Sequence, residues 1–255
     1  MNLSYRFYYV WKRNLISYKR FVLPTLLVSL GEPLFYLVAM GIGLGAYLGG
    51  FGGKGYLDFL ASGLIISSVM IASAFECLYG SFVRMVHEKL YDSLIVTPIS
   101  AEDAVAGDIV WGAFRGLVSG VLMLLVAFAI HALSVPSAAI LFLLPLMVIT
   151  GLLFASASMI ITSFAPNFDF FNYYTELVIT PMFFFSGVFF PLDKMPEWVK
   201  TLSLFFPLTH AVNISRVIFF GTFTPILLLN MSALVFLTGI LFYMALFFMK
   251  RRLIK

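Results

Sequence analysis

Residues 138–164 read AAILFLLPLMVITGLLFASASMIITSF, without one acidic, basic or histidine side chain. About 20 apolar residues in a helix cross the hydrocarbon core of a bilayer, so this stretch reads as a membrane span. Just before it, residues 105–131 form a second apolar run, with Asp108, Arg115 and His131 as its ionisable groups. Working outward, further runs lie at about 24–48, 59–81, 171–190 and 225–249. Composition agrees with that pattern: the 255 residues are 62% apolar and 11% charged, against about 25% charged in a soluble domain. Sixteen Lys/Arg and twelve Asp/Glu cannot coat a globule of this size. A soluble enzyme, a disordered chain and a secreted disulfide scaffold are excluded, the last because Cys77 is the only cysteine. The expected fold class is an all-α integral membrane protein with six transmembrane helices, forming one domain over 1–255.

The charges cluster beside the apolar runs, where they set topology rather than bind nucleic acid. Residues 2–20, NLSYRFYYVWKRNLISYKR, interleave aromatics with basic residues. On a helix, Phe7, Val10, Trp11, Asn14, Leu15 and Tyr18 share one face. Two readings stay open: an amphipathic helix in the headgroup region, or a plain basic anchor. The first apolar run is too long for a signal-peptide core and is expected to stay as a span. With six spans both termini share one side. Eleven basic residues then fall on the side of the termini and four (Lys54, Lys194, Lys200 and Arg216) on the other. The termini are expected to be cytoplasmic. No internal repeat is visible, so one chain reads as half of a symmetric pathway.

Several chemistries fail on spacing. The glycine-rich GIGLGAYLGGFGGKG (41–55) has Leu48 where a phosphate-binding loop needs its first Gly, and Gly55 follows Lys54 where Ser or Thr should stand. Neither HExxH nor GxSxG occurs, and no His/Cys/acid cluster has metal spacing. No catalytic residue, no metal site and no cofactor bound by this chain are expected.

Five acidic or basic residues other than histidine fall within the runs: Glu32, Glu76, Asp108, Arg115 and Glu176. Charge is costly in a bilayer, so such groups face the bundle interior and mark function, or reach the headgroups from span ends. Arg115 sits deepest, and Glu32 or Glu176 is its expected partner. Phe183, Phe184, Phe185, Phe189 and Phe190 gather at the outer end of the fifth run, around Gly187. They read either as core and lipid contact or as an apolar gate on a substrate path, with Phe183, Phe185, Phe189 and Phe190 as candidates. In 84–103, RMVHEKLYDSLIVTPISAED, the residues Met85, Leu90, Leu94 and Ile95 mark an apolar helix face. That face is either an ordinary juxtamembrane helix or a docking element for a soluble partner. Residues 190–223 are apolar but broken by Pro191, Pro196 and Pro207, which suits a re-entrant hairpin over 191–221.

Two runs carry a resemblance. HEKLYDSLIVTPISAEDAVAGDIVW (87–111) resembles the segment after the second span of type-2 ABC exporter permeases, through Asp92, Leu94, Ile95, Thr97 and Pro98, with Asp where Glu is usual. FFFSGVFFPLDKMPEWVKTLSLFFPLTHAVNISR (183–216) is similar to the second signature of that family. The matching positions are Gly187, Phe190, Pro191, Met195, Pro196, Pro207, Leu208, His210 and Arg216. Within the family, RNLISYKR, the glycine-rich first span, APNFDFF and LVITPM resemble permeases of nodulation-type lipo-oligosaccharide exporters.

The resemblance implies a permease in the bacterial inner membrane that pairs with a second copy of itself and carries two cytoplasmic ATPase subunits. ATP and Mg would then sit in the partner. The coupling helix would lie in 84–100, with His87, Glu88, Leu90, Asp92, Leu94, Ile95, Thr97 and Pro98 as candidates. An external hairpin would hold Gly187, Pro191, Pro196, Pro207, His210 and Arg216. The substrate would be amphipathic, a lipid-linked saccharide or lipo-oligosaccharide. A drug exporter of the same family, or a secondary transporter without an ATPase, are the alternatives.

Overall fold

The computed structural model describes residues 3–19, 22, 24, 31, 33–45, 55–130, 132, 137–221 and 226–254. Every regular element among them is helical. Glu32, His131 and the glycines of 46–54 lie outside the described residues. In chain order the elements are α1 (Phe7–Tyr18), α2 (residues 33–44), α3 (Tyr56–His87) and the short α4 (Leu90–Ile95). Then follow α5 (Ala101–Ala129), α6 (Ser137–Phe164), α7 (residues 169–185), α8 (Glu197–Ser203), α9 (Pro207–Phe220) and α10 (Ile226–Leu253).

Among the described residues, four helices are long and apolar enough to cross a membrane: α3, α5, Leu141–Phe164 of α6 and Leu229–Leu253 of α10. A fifth joins them if α8 and α9, which meet at 91°, are one broken span. The expected first span is described only in α2. The expected fifth, 171–190, is the helix α7, made of pieces of six, five and six residues with a π-wound middle. Ser186 and Gly187 end it before residue 190.

Helix α3 is the axis of the bundle, with α5, α6, α9 and α2 packed around it. Its sequence explains why it can be enclosed. Ser67, Ser68 and Ser73 turn their hydroxyls back onto carbonyls one turn earlier, at 3.0, 2.8 and 2.7 Å. The helix therefore buries hydroxyls without orphaning them. The facing helix α5 carries Gly112, Gly116 and Gly120. A Cβ at Gly116 would stand 2.8 Å from the Val69 carbonyl oxygen, and one at Gly112 only 2.5 Å from Cys77 Sγ. Without water to drive association, close backbone approach of small residues holds membrane helices together. Helix α10, by contrast, lies mostly uncovered along its apolar length, packed on α6 and α5.

The ends of the bundle differ in character. At one end meet α1, the C-terminal ends of α3, α6 and α10, and the N-terminal end of α5; this is the charged end. At the other lie Gly187, α8 and α9. Helix α1 buries Val10 and Asn14 against α5 and half-buries Phe7, Trp11, Leu15 and Tyr18. The face expected from spacing is the face used, but it meets protein; Tyr8, Tyr9 and Ile16 are the exposed side.

Candidate functional site

The charged end is built around Asp108, on the second turn of α5 and 1% exposed. Oδ1 of Asp108 accepts from Asn14 Nδ2 of α1 at 2.6 Å. Its Oδ2 accepts from Arg84 Nε of α3 at 3.0 Å and from the Tyr91 hydroxyl of α4 at 2.6 Å. One carboxylate therefore ties four helices together. Arg84 continues the chain: Nη1 donates to Glu76 Oε1 at 2.9 Å and Nη2 to Ser81 Oγ at 3.1 Å. The same Glu76 oxygen accepts from Trp111 Nε1 at 2.9 Å. Burial is tolerable here because each charge meets an opposite charge and further donors. Tyr91 stays a neutral donor: burial first, and the Asp108 charge second, push its hydroxyl well above the ordinary tyrosine range.

Local sequence sets the geometry. Residue Lys89 takes the left-handed conformation, φ 49°, and turns the chain out of α3 and back into α4. Ser100 caps α5: its hydroxyl accepts from Asp103 N at 3.0 Å, and Asp103 Oδ2 accepts from Ser100 N at 3.3 Å. Asp103 Oδ1 also accepts from Ser4 N at 2.6 Å, and Arg6 donates to the Pro98 carbonyl. Through these bonds α1, α4 and the start of α5 form one body.

The sequence leaves two readings open for 84–100; its apolar face turns toward the bundle. Met85 and Leu94 pack on the buried clusters of the charged end, Tyr91 is buried, and Leu90 and Ile95 are half-buried. The exposed residues are Val86, His87, Glu88, Lys89, Asp92, Ser93, Val96, Thr97 and Pro98. The His87 ring stacks on Phe168, centroids 5.5 Å apart. A helix this short cannot hold itself, so its apolar side anchors it to the bundle.

Arg115 meets Glu76 rather than Glu176, one of its two expected partners. Its Nη1 lies 3.7 Å from Glu76 Oε2, and its guanidinium stands 4.5 Å from the Tyr18 ring centroid. Glu76 is on the helix packed against α5. Glu32 lies outside the described residues, and Glu176 is exposed on α7. Arg84, counted among the loop charges by sequence, belongs to α3 and is interior. Spacing alone could have raised Glu76 and Arg84, eight positions apart, but not Tyr91 or Asn14.

A second region lies toward Gly187. A cleft of about 320 Å³ is lined by Tyr36, Phe75, Thr175, Glu176, Phe183 and Phe184, among others. Phe183 and Phe189 are buried, 5.0 Å apart edge to face, and Tyr36 packs on both. Phe185 leans on Trp198, and Phe190 is exposed. The four candidate gate residues therefore do not form one surface; of them Phe183 lines the cleft, beside Phe184.

The hairpin is held by its signature residues. Gly187 has φ 81°, where a side chain is strained. Arg216 donates to its carbonyl and lies 3.8 Å from the Phe59 ring centroid. Pro191 and Pro196 precede their helical turns, and Pro207 opens α9. His210 bridges Asn230 Oδ1 at 2.8 Å and the Leu204 carbonyl at 3.0 Å, fastening the bend to α10.

Comparison with known proteins agrees with this architecture. The chain is 37% identical over 246 residues to Nodulation protein J of Rhizobium leguminosarum bv. trifolii, covering 96% of this chain and 93% of that protein. It is 36% identical to Nodulation protein J of Sinorhizobium fredii, with the same coverage. Inner membrane transport permease YadH of Escherichia coli is 27% identical over 212 residues, covering 83% and 82%. Residues 5–220 match the family described as ABC-2 type transporter. With α3, α5, α6 and α10 apolar enough to cross a bilayer and a match over most of its length, the chain belongs to the ABC-2 type transporter family.

Proposed function

We propose that this chain is the permease subunit of an ATP-driven exporter, a single membrane domain that moves an amphipathic, lipo-oligosaccharide-like substrate outward. The observation that carries the reading is the near full-length likeness to proteins named Nodulation protein J. Two copies would form the pathway, with two ATPase subunits bound on the cytoplasmic side of a bacterial inner membrane. ATP and Mg belong to those subunits in this reading, and the chain itself catalyses nothing.

The geometry supports a route for force. The exposed side of α4 is the surface offered to the ATPase, and Tyr91 ties α4 to Asp108 of α5. Arg84 passes the link to α3, the axis of the bundle. A push on α4 would then move α1, α3 and α5 together. The cleft beside Glu176 and Phe184 offers aromatic faces and a carboxylate, groups that suit a saccharide bearing an apolar tail.

The test is reconstitution of this chain with an ABC ATPase that co-purifies with it. ATP-dependent movement of a fluorescent lipo-oligosaccharide into inside-out vesicles is expected. Movement without ATP, or failure to bind any ATPase, would overturn the reading; movement of hydrophobic drugs but not the glycan would favour a drug exporter.

A further inference from the structure

A cleft of about 250 Å³ lies under α1, lined by Arg13, Ser17, Tyr18, Glu76, Trp111 and Arg115, with Arg84 and Glu88 beside them. The three arginines are not equivalent. Arg84 spends its donors on Asp108, Glu76 and Ser81. Arg13 and Arg115 have their nearest carboxylate oxygens at 3.7 Å, on Glu88 and Glu76. Those distances exceed a hydrogen bond. Arg13 gives one bond to Asn14, at 3.1 Å, and Arg115 rests its flat face over Tyr18. Both guanidinium groups line the cleft with donors left over. Of the carboxylates, Asp108 and Glu76 are held by Arg84, while Glu88 stands half-exposed at the rim. Arg13 and Glu88 stand at the rim, 36% and 52% exposed, and Arg84 and Arg115 face Glu76 and Asp108 within, so the charges balance and the unspent donors of Arg13 and Arg115 are what mark the cleft.

Depth points to the ligand. Glu88 follows the last residue of α3, and Glu76 sits about three turns further in along that helix. The cleft thus runs inward from the end of a membrane helix. Its roof, α1, exposes Tyr8, Tyr9 and Ile16 on the far side, as an interfacial helix does. Arginine pairs are suited to phosphate, which accepts their parallel N–H groups two at a time. We propose that this cleft binds a phosphate group, clamped between Arg13 and Arg115 with the Ser17 hydroxyl as a third donor. The group comes from an anionic phospholipid head in the adjacent leaflet or from free phosphate. Occupancy would replace two long ion pairs by short ones and draw α1 onto α5. The proposal depends neither on the transported substrate nor on which way the chain faces.

The test uses the full chain in phosphatidylcholine nanodiscs, with or without phosphatidylglycerol, and separately with inorganic phosphate in the buffer. Retained lipid is read by native mass spectrometry and stability by thermal unfolding. Wild type is expected to retain phosphatidylglycerol selectively. Arg13→Gln and Arg115→Lys should each lower that retention about tenfold, the worth of one charge-assisted hydrogen bond. Arg251→Gln, outside the cleft, should not. A rise in melting temperature with inorganic phosphate, abolished by Arg13→Gln, supports the site and assigns it to the free anion. Equal retention of both lipids together with no phosphate effect overturns it. So does undiminished retention and phosphate response in a folded Arg13→Gln and Arg115→Lys.

Discussion

The Tyr91 phenol and the Asp108 carboxylate are joined by a 2.6 Å hydrogen bond inside the protein. Helix α4 has six residues and reaches the bundle chiefly through α5 and the end of α3. Tyr91→Phe keeps the ring in place and deletes only this bond. A hydrogen bond to a buried charge is worth about 1.5–3 kcal/mol. The thermal midpoint of the detergent-solubilised protein should fall accordingly. On the proposed route for force, transport per ATP should fall more than the amount of folded protein. A variant with unchanged midpoint and coupling would show that α4 is held by its apolar contacts alone.

Arg84 and Asp108 give a second, internal comparison. Arg84→Met would leave two buried carboxylates, Asp108 and Glu76, without their shared cation. Removing one partner of a buried ion pair costs about 3–5 kcal/mol. Asp108→Asn leaves Arg84 paired with Glu76, so its cost should be smaller. The double variant should be less unstable than the sum of the two, because neutralising Asp108 removes a charge that Arg84→Met strands. Additive losses in the unfolding cycle would mean that the two groups do not act on one another.

Much of this arrangement was legible in the chain. The uncharged run at 138–164, its neighbours and the prolines of 191–207 dictate an all-helical membrane bundle with one broken segment. The face of α1 and the glycine stripe of α5 follow from helical spacing. The centre of the charged end did not follow. Asp108 was visible as an intramembrane acid, but Asn14, Arg84 and Tyr91 come to it from positions 94, 24 and 17 residues away. Local pattern carries no information on which helix ends converge. The apolar side of α4 left two readings open for a related reason: amphipathicity shows that a face must be covered, not by what.

The glycine stripe makes the third prediction. Gly116→Ala would set a Cβ 2.8 Å from the Val69 carbonyl oxygen, on backbone that cannot swing away. Overpacking of this kind costs about 1–3 kcal/mol. Gly239→Ala is the control, since a Cβ there meets nothing within 4 Å. It should be neutral or stabilising, through the better helix propensity of alanine. A Gly116→Ala protein as stable as wild type would mean that α3 and α5 separate at little cost.

The phenylalanines near Gly187 separate core from surface. Phe189 is 1% exposed and packs on Tyr36, Phe183 and Phe184; Phe190 is 39% exposed. Phe189→Ala should cost about 3–5 kcal/mol, as for other buried aromatics cut to alanine. Phe190→Ala should leave the midpoint within about 0.5 kcal/mol of wild type. If Phe190→Ala nonetheless raises passive leak of a vesicle-trapped dye, the exposed ring is part of a seal. If only Phe189→Ala does so, the leak reports loosened packing instead.

The exposed side of α4 provides the last comparison. The Asp92 side chain is exposed and has no ion pair among the described residues, so its replacement touches nothing that holds the bundle. Asp92→Lys should therefore leave the unfolding midpoint unchanged. On the proposed assembly it reverses the charge facing the ATPase, and like charges brought together at an interface oppose binding. Recovery of the ATPase with the permease should drop, and should recover partly at high salt if the loss is electrostatic. Tyr91→Phe predicts the opposite signature, a lower midpoint with the outer surface intact. Measuring both variants in one preparation separates a docking surface from the anchor beneath it, and equal ATPase recovery with Asp92→Lys would place the contact on another face.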